Sequence, residues 1–143
     1  MSMFKIFDTA GSGMAAESLR LNAVASNLAN ADSVSSSADS AYRAKQLLFA
    51  PAQGVDAGSL SQDANEGTLG VQMLGMTESQ QPVQTRYEPG NPMADADGYV
   101  YGSNVNPVDE LVNMISASRS YQNNVEVMNS AKQLMLKAIN LGS

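Results

Sequence analysis

Apolar residues recur at alternating spacings of three and four near both ends of this 143-residue chain. Towards the amino end the pattern runs from about Asp8 to Ala31, and towards the carboxy end it runs from Pro107 to Leu141. Residues spaced in this way lie on one face of an α-helix and repeat with the period of a coiled coil. The pattern therefore predicts two long terminal helices.

Each predicted helix carries a mainly apolar seam that one charged residue interrupts. In the first helix the interruption is Glu17, and the seam consists of Phe7, Ala10, Met14, Leu21, Val24, Leu28 and Ala31. In the second helix the interruption is Lys132, and the seam consists of Leu111, Met114, Ser118, Tyr121, Val125, Met128, Met135 and Ile139. Because the middle of the chain joins the end of one helix to the start of the other, we expect an antiparallel coiled coil.

The second helix has the clearer boundaries. Asn106 is a suitable N-cap, Pro107 suits the first helical position, and the acidic pair Asp109 and Glu110 favours the positive end of the helix dipole. Gly142 supplies a stop. This helix would be roughly 50 Å long at 1.5 Å per residue, and about two or three of its turns would extend beyond the first helix.

The middle of the chain is polar and has the pattern of a β-rich insert. The Ser-rich segment from Ser33 to Ser40 predicts a flexible connector, and the segment from Pro51 to Gly67 predicts a long loop. Strands are predicted at 42–49, 68–76, 82–87 and 99–101. The predicted fold is therefore mainly α, with an amino-terminal helix (1–31), a loop and small β-rich insert (32–105) and a carboxy-terminal helix (106–143).

Charge and hydropathy argue against nucleic acid and membrane partners. The formal net charge is −6, whereas phosphate backbones and anionic lipid surfaces attract clustered Lys and Arg. No apolar run reaches the roughly 20 residues of a membrane-spanning helix, so we expect no direct membrane insertion. The start of the chain also lacks the apolar segment of a secretory signal peptide, and on these grounds alone a cytoplasmic location would be expected.

The side chains offer little for catalysis or ligand binding. The chain has no His and no Cys, which removes the commonest general base and the thiol nucleophile. The segment from Asp95 to Gly98 begins like a calcium loop, but the later oxygen ligands and the terminal Glu are missing, so a solvated turn is the better interpretation. Gly11-Ser12-Gly13 lacks the rest of a phosphate-binding fingerprint. We therefore expect no enzyme, no metal and no cofactor.

The outer face of the first helix is almost uncharged. Between Thr9 and Ala31 only Glu17 and Arg20 carry charge, whereas a helix that faces water normally has a charged face. Asn is a weak helix former and still occurs here repeatedly, at Asn22, Asn27 and Asn30. These residues could be ordinary surface, but a helix enclosed by partners explains them better.

We therefore predict that both helices contribute to an assembly interface. The overhanging end of the second helix is apolar and would need a partner. A second apolar row outside the seam consists of Ala131, Leu134, Ala138 and Leu141. The predicted interface residues are Leu21, Asn22, Ala25, Ser26, Asn27, Leu28, Ala29, Asn30, Ser118, Arg119, Tyr121, Gln122, Met135, Leu136 and Ile139.

Several segments resemble the flagellar rod and hook (axial) protein family. They are LRLNAVASNLANADS from Leu19, YRAKQ from Tyr42, YEPGNPMADADGYV from Tyr87 and SASRSYQNNVEV from Ser116. The resemblance implies a terminal helical pair with a small β-rich insert, and subunits that stack helically into a tube. In that arrangement the terminal helices form the inner wall around the export channel and the inserts face outwards, with neither catalysis nor a cofactor.

The resemblance also implies partners and a location. The partners would be other copies of this chain, the sibling rod proteins FlgB, FlgF and FlgG, and the base adaptor FliE. The location would be the rod of the flagellar basal body in the periplasmic space, reached through the flagellar type III export apparatus. An alternative from another class is a cytoplasmic acidic helical chaperone of a type III secretion system, which fits the acidity and size of the chain but not its paired helices.

Overall fold

A computed structural model describes residues 3–52 and 70–141 of the chain. The described residues form, in order, helix α1 (Met3–Ala29), strands β1 (Val34–Ser35), β2 (Lys45–Pro51), β3 (Val71–Glu78), β4 (Gln84–Tyr87) and β5 (Tyr99–Gly102), and helix α2 (Pro107–Leu141). A long helix therefore stands at each end of a small β-rich insert. The mainly α architecture that the sequence predicts is confirmed in this outline.

Helix α2 begins where the sequence predicts, because its cap residues form the expected bonds. The backbone N–H of Val108 donates to Asn106 Oδ1 at 3.1 Å, and Asn106 Nδ2 donates to the Asp109 carboxylate at 2.8 Å. The first of these bonds satisfies a backbone donor that the helix itself leaves unpaired. Helix α2 runs to Leu141, while the predicted stop at Gly142 lies outside the described residues.

Helix α1 differs from its predicted bounds at both ends. It begins at Met3 rather than near Asp8, and it ends at Ala29 rather than Ala31. Gly11 and Gly13 remain helical, although Gly costs about 1 kcal/mol relative to Ala inside a helix. Gly13 lies close to α2, since a Cβ atom added there would lie 2.8 Å from the side-chain nitrogen of Asn124, which would have to move.

The two helices pack against each other and run in opposite directions. Ile6 near the start of α1 lines a cavity together with Ala131 near the end of α2. Val24 near the end of α1 lines another cavity together with Asn113 near the start of α2. The end of α1 and the start of α2 therefore lie at the same end of the helical pair, and the insert connects them there.

The face that α2 turns towards α1 differs from the predicted seam. Ala117 is fully buried and Ala131 is 4% exposed, whereas three predicted seam residues are 47%, 38% and 61% exposed, namely Leu111, Tyr121 and Ile139. The distance between two packed helices depends on the side chains at their contact, and alanines allow a short distance. The predicted seam is therefore wrong at these three positions, because the small residues face α1 and the larger ones are turned outwards.

The described part of the insert forms two small antiparallel sheets. One has the strand order β1-β5-β4, and the other pairs β2 with β3 as a hairpin. The strands β2, β3, β4 and β5 overlap the four predicted strands, which confirms those predictions in outline. Within the described residues, β2 and β3 pack on α1, and β2 also lines a cavity together with the start of α2.

The segment that follows α1 is more ordered than the sequence predicts. Val34 pairs with Gly102 and Ser35 pairs with Tyr101, so these two residues form the edge strand β1. The prediction of a flexible connector is therefore wrong for this part, since the backbone of β5 supplies partners that a local pattern does not reveal. The predicted loop from Pro51 to Gly67 lies outside the described residues from position 53 onwards.

Candidate assembly interface

Asn27 attaches the hairpin of β2 and β3 to α1. Its Oδ1 accepts a hydrogen bond from the backbone N–H of Lys45 at 2.8 Å, and its Nδ2 donates to the Lys45 carbonyl at 3.0 Å. Oδ1 also accepts from the Tyr42 hydroxyl at 3.1 Å. The side-chain amide thus pairs with Lys45 much as the backbone of a neighbouring strand would. Only 2% of the surface of Asn27 is exposed, so this residue stabilises the fold of its own chain. The sequence had indicated a role in the assembly interface instead.

Ser26 and Asn30 also make bonds within the chain. Ser26 Oγ lies 3.1 Å from the Tyr42 hydroxyl, and Asn30 Nδ2 donates to the Ser26 carbonyl at 2.8 Å. The last carbonyl groups of a helix lack partners inside the helix, so the Asn30 bond satisfies one of them. Part of the Asn-rich segment of α1 therefore serves to end the helix and to hold the insert.

Gly70 fixes the other end of the same hairpin on α1. Its φ angle is +131°, a conformation that L side chains rarely adopt, and a Cβ atom at this position would collide with the side chain of Ser12. The next residue, Val71, donates its backbone N–H to Ser12 Oγ at 3.1 Å. Contacts with α1 thus hold the hairpin at both ends, at Asn27 and at Ser12.

Most of the other predicted interface residues are at least partly accessible. Four of them are half-buried, namely Leu21, Leu28, Ser118 and Met135. The exposed ones lie on the second half of α1, the middle of α2 and the carboxy end of α2, and they are Asn22, Ala25, Ala29, Arg119, Tyr121, Gln122, Leu136 and Ile139. The structure therefore distributes them over several surfaces instead of joining them in one patch.

The carboxy end of α2 exposes large apolar side chains. Leu134, Leu136 and Ile139 are 60%, 52% and 61% exposed. Leu134 lines a cavity of about 530 Å³ together with Ile6, which lies close to the described start of α1, so the end of α2 extends past that start. Ala131 differs from Leu134 and Ala138 of its predicted second row, which are exposed, because it is buried against α1.

A second exposed apolar surface lies at the beginning of α2. Val108, Val112 and Ile115 are 67%, 61% and 56% exposed, and Leu111 beside them is 47% exposed. We call these four residues the α2 ridge. The buried Ala117 lies on the opposite side of the helix, so the ridge faces away from α1. This surface is absent from the predicted interface, although the spacing of its residues by four and three is visible in the sequence.

On the far side of α1, a groove separates the helix from the hairpin. It has a volume of about 250 Å³. Its lining combines the outer face of α1 with the inner face of the hairpin, and the residues are Leu19, Asn22, Ala23, Ser26, Lys45, Leu47, Met73 and Met76. We call it the hairpin groove. Its two methionines have flexible side chains that can adapt to an apolar ligand.

The segment from Asp95 to Gly98 is a turn that Asp95 holds with its carboxylate. Asp95 Oδ1 accepts from the backbone N–H groups of Tyr99 at 2.8 Å and Asp97 at 3.0 Å, and Oδ2 accepts from the Tyr101 hydroxyl at 3.1 Å. The bond from Tyr99 is the main reason that the pKa of Asp95 is lowered, and Asp95 in turn raises the pKa of Tyr101. These bonds already occupy the carboxylate in shaping the turn.

The described residues contain no arrangement suited to a metal or a membrane. In the ranges 3–52 and 70–141, no three acidic, His or Cys side chains lie close enough together to hold a metal ion. Neither helix, over its described length, has an apolar stretch sufficient to cross a bilayer. The features that stand out are the exposed apolar surfaces of α2 and the hairpin groove.

Two family models match the chain, one near each end. Residues 7–35 match the family described as flagella basal body rod protein, and residues 96–141 match the family described as flagellar basal body rod FlgEFG protein C-terminal.

The chain is also similar to curated proteins over nearly its whole length. It is 52% identical to the flagellar basal-body rod protein FlgC of Salmonella typhimurium over 142 residues, which cover 99% of each chain. The FlgC proteins of Escherichia coli O157:H7 and Yersinia enterocolitica are 50% and 49% identical over the same length, again with 99% of each chain covered. These relatives are rod proteins by name and give no support to a chaperone.

Proposed function

This chain belongs to the FlgC family of flagellar basal-body rod proteins, and from that premise we propose that it polymerises helically into the tubular wall of the proximal rod. As a member of the family it is a structural subunit of the rod and not an enzyme. In the proposed assembly α1 and α2 pair as an antiparallel coiled coil and form the inner wall around the export channel. The β-rich insert faces outwards.

The observation that carries this proposal is the exposure of large apolar side chains along α2. Leu136 and Ile139 at its carboxy end are more than half exposed, as are Val112 and Ile115 near its start. Exposed apolar residues that cluster in this way mark surfaces that other proteins cover. These side chains of α2 would be buried in a subunit that neighbouring subunits enclose on several sides.

The proposed interface keeps the residues that the sequence indicates, except that Asn27 acts within the chain. Its members are Leu21, Asn22, Ala25, Ser26, Leu28, Ala29, Asn30, Ser118, Arg119, Tyr121, Gln122, Met135, Leu136 and Ile139. Its proposed partners are other copies of the chain, FlgB, FlgF, FlgG and FliE. We propose that the flagellar type III apparatus exports the chain and that the rod stands in the periplasmic space.

A charge placed in the exposed apolar end of α2 tests the proposal. In Ile139→Asp, a carboxylate replaces an apolar side chain that the proposed contact would bury, and a buried unpaired charge is strongly unfavourable. Cells that carry only this variant should make and export it, yet be non-motile. The amount of the variant in purified basal bodies should fall at least tenfold.

Gln133→Asp is the matched control, since Gln133 is an exposed residue of the same helix and receives the same charge. This control should enter basal bodies and support swimming. Normal incorporation of both variants would show that the end of α2 is not an assembly surface.

A further inference from the structure

We propose that the α2 ridge of one copy of this chain docks into the hairpin groove of a second copy. This inference rests on the proposed function, because it assumes that copies assemble, and it names the two surfaces that meet. The ridge offers aliphatic side chains at helical spacing, led by Val112 and Ile115. The groove offers apolar walls from Leu19, Leu47 and the two methionines of β3.

The ridge and the groove face in opposite directions across the chain. Strands β2 and β3 pack on α1, and β2 also lines a cavity together with Glu110 and Asn113 on the inner side of α2. The ridge lies on the outer side of α2, and the groove lies between α1 and the hairpin. Neither surface can therefore reach the other within one chain, so a contact between them must join two copies.

The two surfaces also lie at the same height along the helical pair. Ala23 of α1 lines the hairpin groove and, on another side, lines a cavity together with Asn113 of α2. Asn113 lies in the middle of the ridge segment, between Val112 and Ile115. A rotation about an axis parallel to the helices, with little shift along that axis, would therefore bring the ridge of one copy to the groove of the next.

Opposite charges accompany the two surfaces. Asp109 is exposed beside Val108 of the ridge, and Lys45 lies in the wall of the groove. In the docked pair these two side chains meet at the edge of an apolar contact. Complementary charges at such an edge orient the partners and favour the correct register.

The contact joins two different surfaces, so a dimer formed through it still has one free ridge and one free groove. Each copy that accepts a ridge in its groove still presents its own ridge to another copy. Head-to-tail contacts of this type generate rings or helical assemblies, depending on the rotation between neighbours. The proposed docking therefore joins subunits around the axis of the rod.

Cysteine crosslinking between copies tests the docking directly, because the natural chain has no Cys. Two differently tagged copies are expressed together, one with Ile115→Cys and one with Met76→Cys. Purified basal bodies are then treated with a short bismaleimide. We expect a crosslinked product that carries both tags, at least tenfold more abundant than when Gln133→Cys, an exposed position away from the ridge, replaces Ile115→Cys.

Two results would overturn the docking and leave the proposed function intact. In one, both Cys variants enter basal bodies in normal amounts and no product with both tags forms. In the other, Ile115→Cys crosslinks only to a different rod protein. If no Cys variant enters basal bodies, an exchange of the charges at Asp109 and Lys45 decides whether the docking occurs.

Exchanging the charges at Asp109 and Lys45 tests the docking independently, because it leaves the apolar residues of the ridge and the groove unchanged. Asp109→Lys and Lys45→Asp should each lower incorporation into basal bodies at least threefold, and both changes in one chain should restore at least half of it. Asp109→Asn is the control for the helix start, where Asp109 also accepts a hydrogen bond from Asn106. Absence of recovery in the double variant would refute the docking.

Discussion

The two helices of this chain differ in how much of their surface the chain itself covers. Helix α1 packs on α2 along one side and carries the hairpin on another, with Asn27 and Ser12 as points of attachment. Within the described residues, helix α2 packs mainly on α1, with β2 beside its start, and its outer side exposes the ridge at one end and Leu136 and Ile139 at the other. The described fold of the single chain therefore covers more of α1 than of α2, and we propose that neighbouring subunits cover the exposed side of α2.

The largest effect should come from removing the attachment of the hairpin to α1. In Asn27→Leu, the backbone N–H and carbonyl of Lys45 lose both side-chain partners. Because an unpaired buried polar group costs about 1–3 kcal/mol, we expect a loss of roughly 3 kcal/mol in the free energy of unfolding, measured with urea on the purified chain.

Asn22→Leu is the matched control for this change, since Asn22 is an exposed residue of the same helix. Its effect should stay within about 0.5 kcal/mol, as for most surface substitutions. Equal effects of the two substitutions would contradict the distinction between a residue that holds the fold and one that faces a partner.

The sequence predicts the ends of elements well where local signals set them. Asn106 and Pro107 act on their own helical turn, so the start of α2 is correct to the residue. Helix α1 starts earlier than predicted, because no cap signal of this kind precedes it. Strand β1 is too short for a recognisable pattern and depends on β5, which lies far away in the sequence.

Tertiary contacts explain why the seam of α2 and the role of Asn27 differ from what the sequence indicates. The repeat of three and four identifies the apolar stripe of α2, but the close approach at Ala117 and Ala131 decides which edge of that stripe faces α1. The Asn-rich segment indicates that α1 has unusual neighbours. It does not reveal that Asn27 bonds the backbone of Lys45, because backbone groups are present at every position and leave no signature in the sequence.

A smaller effect is expected at the other attachment of the hairpin. Gly70→Ala places a Cβ atom on a residue with φ of +131° and against the side chain of Ser12. Strained backbone of this kind costs about 1–3 kcal/mol, so the free energy of unfolding should fall by roughly 2 kcal/mol. Amide exchange should show that protection is lost first in β2 and β3.

Gly90→Ala controls for the general effect of replacing a glycine in the insert, because nothing lies within 4 Å of a Cβ atom built there and its φ is not positive. That substitution should leave the stability nearly unchanged. If Gly70→Ala also left the stability nearly unchanged, the contact of Gly70 with Ser12 would not help to attach the hairpin to α1.

The smallest effect should come from a charged residue on the α2 ridge, and it gives the sharpest test of the comparison. Val112 is 61% exposed, so Val112→Lys removes little buried apolar surface from the single chain. We expect the free energy of unfolding of the purified chain to change by less than about 0.5 kcal/mol. The same substitution should reduce incorporation into basal bodies, because the proposed docking covers the ridge in the assembled rod. Val24→Lys is the opposite case, since Val24 lies on the buried side of α1 and is 5% exposed. This substitution should strongly lower the free energy of unfolding of the purified chain itself. A large loss of stability in Val112→Lys would mean that the chain itself covers the ridge, and the proposed difference between the two helices would be wrong.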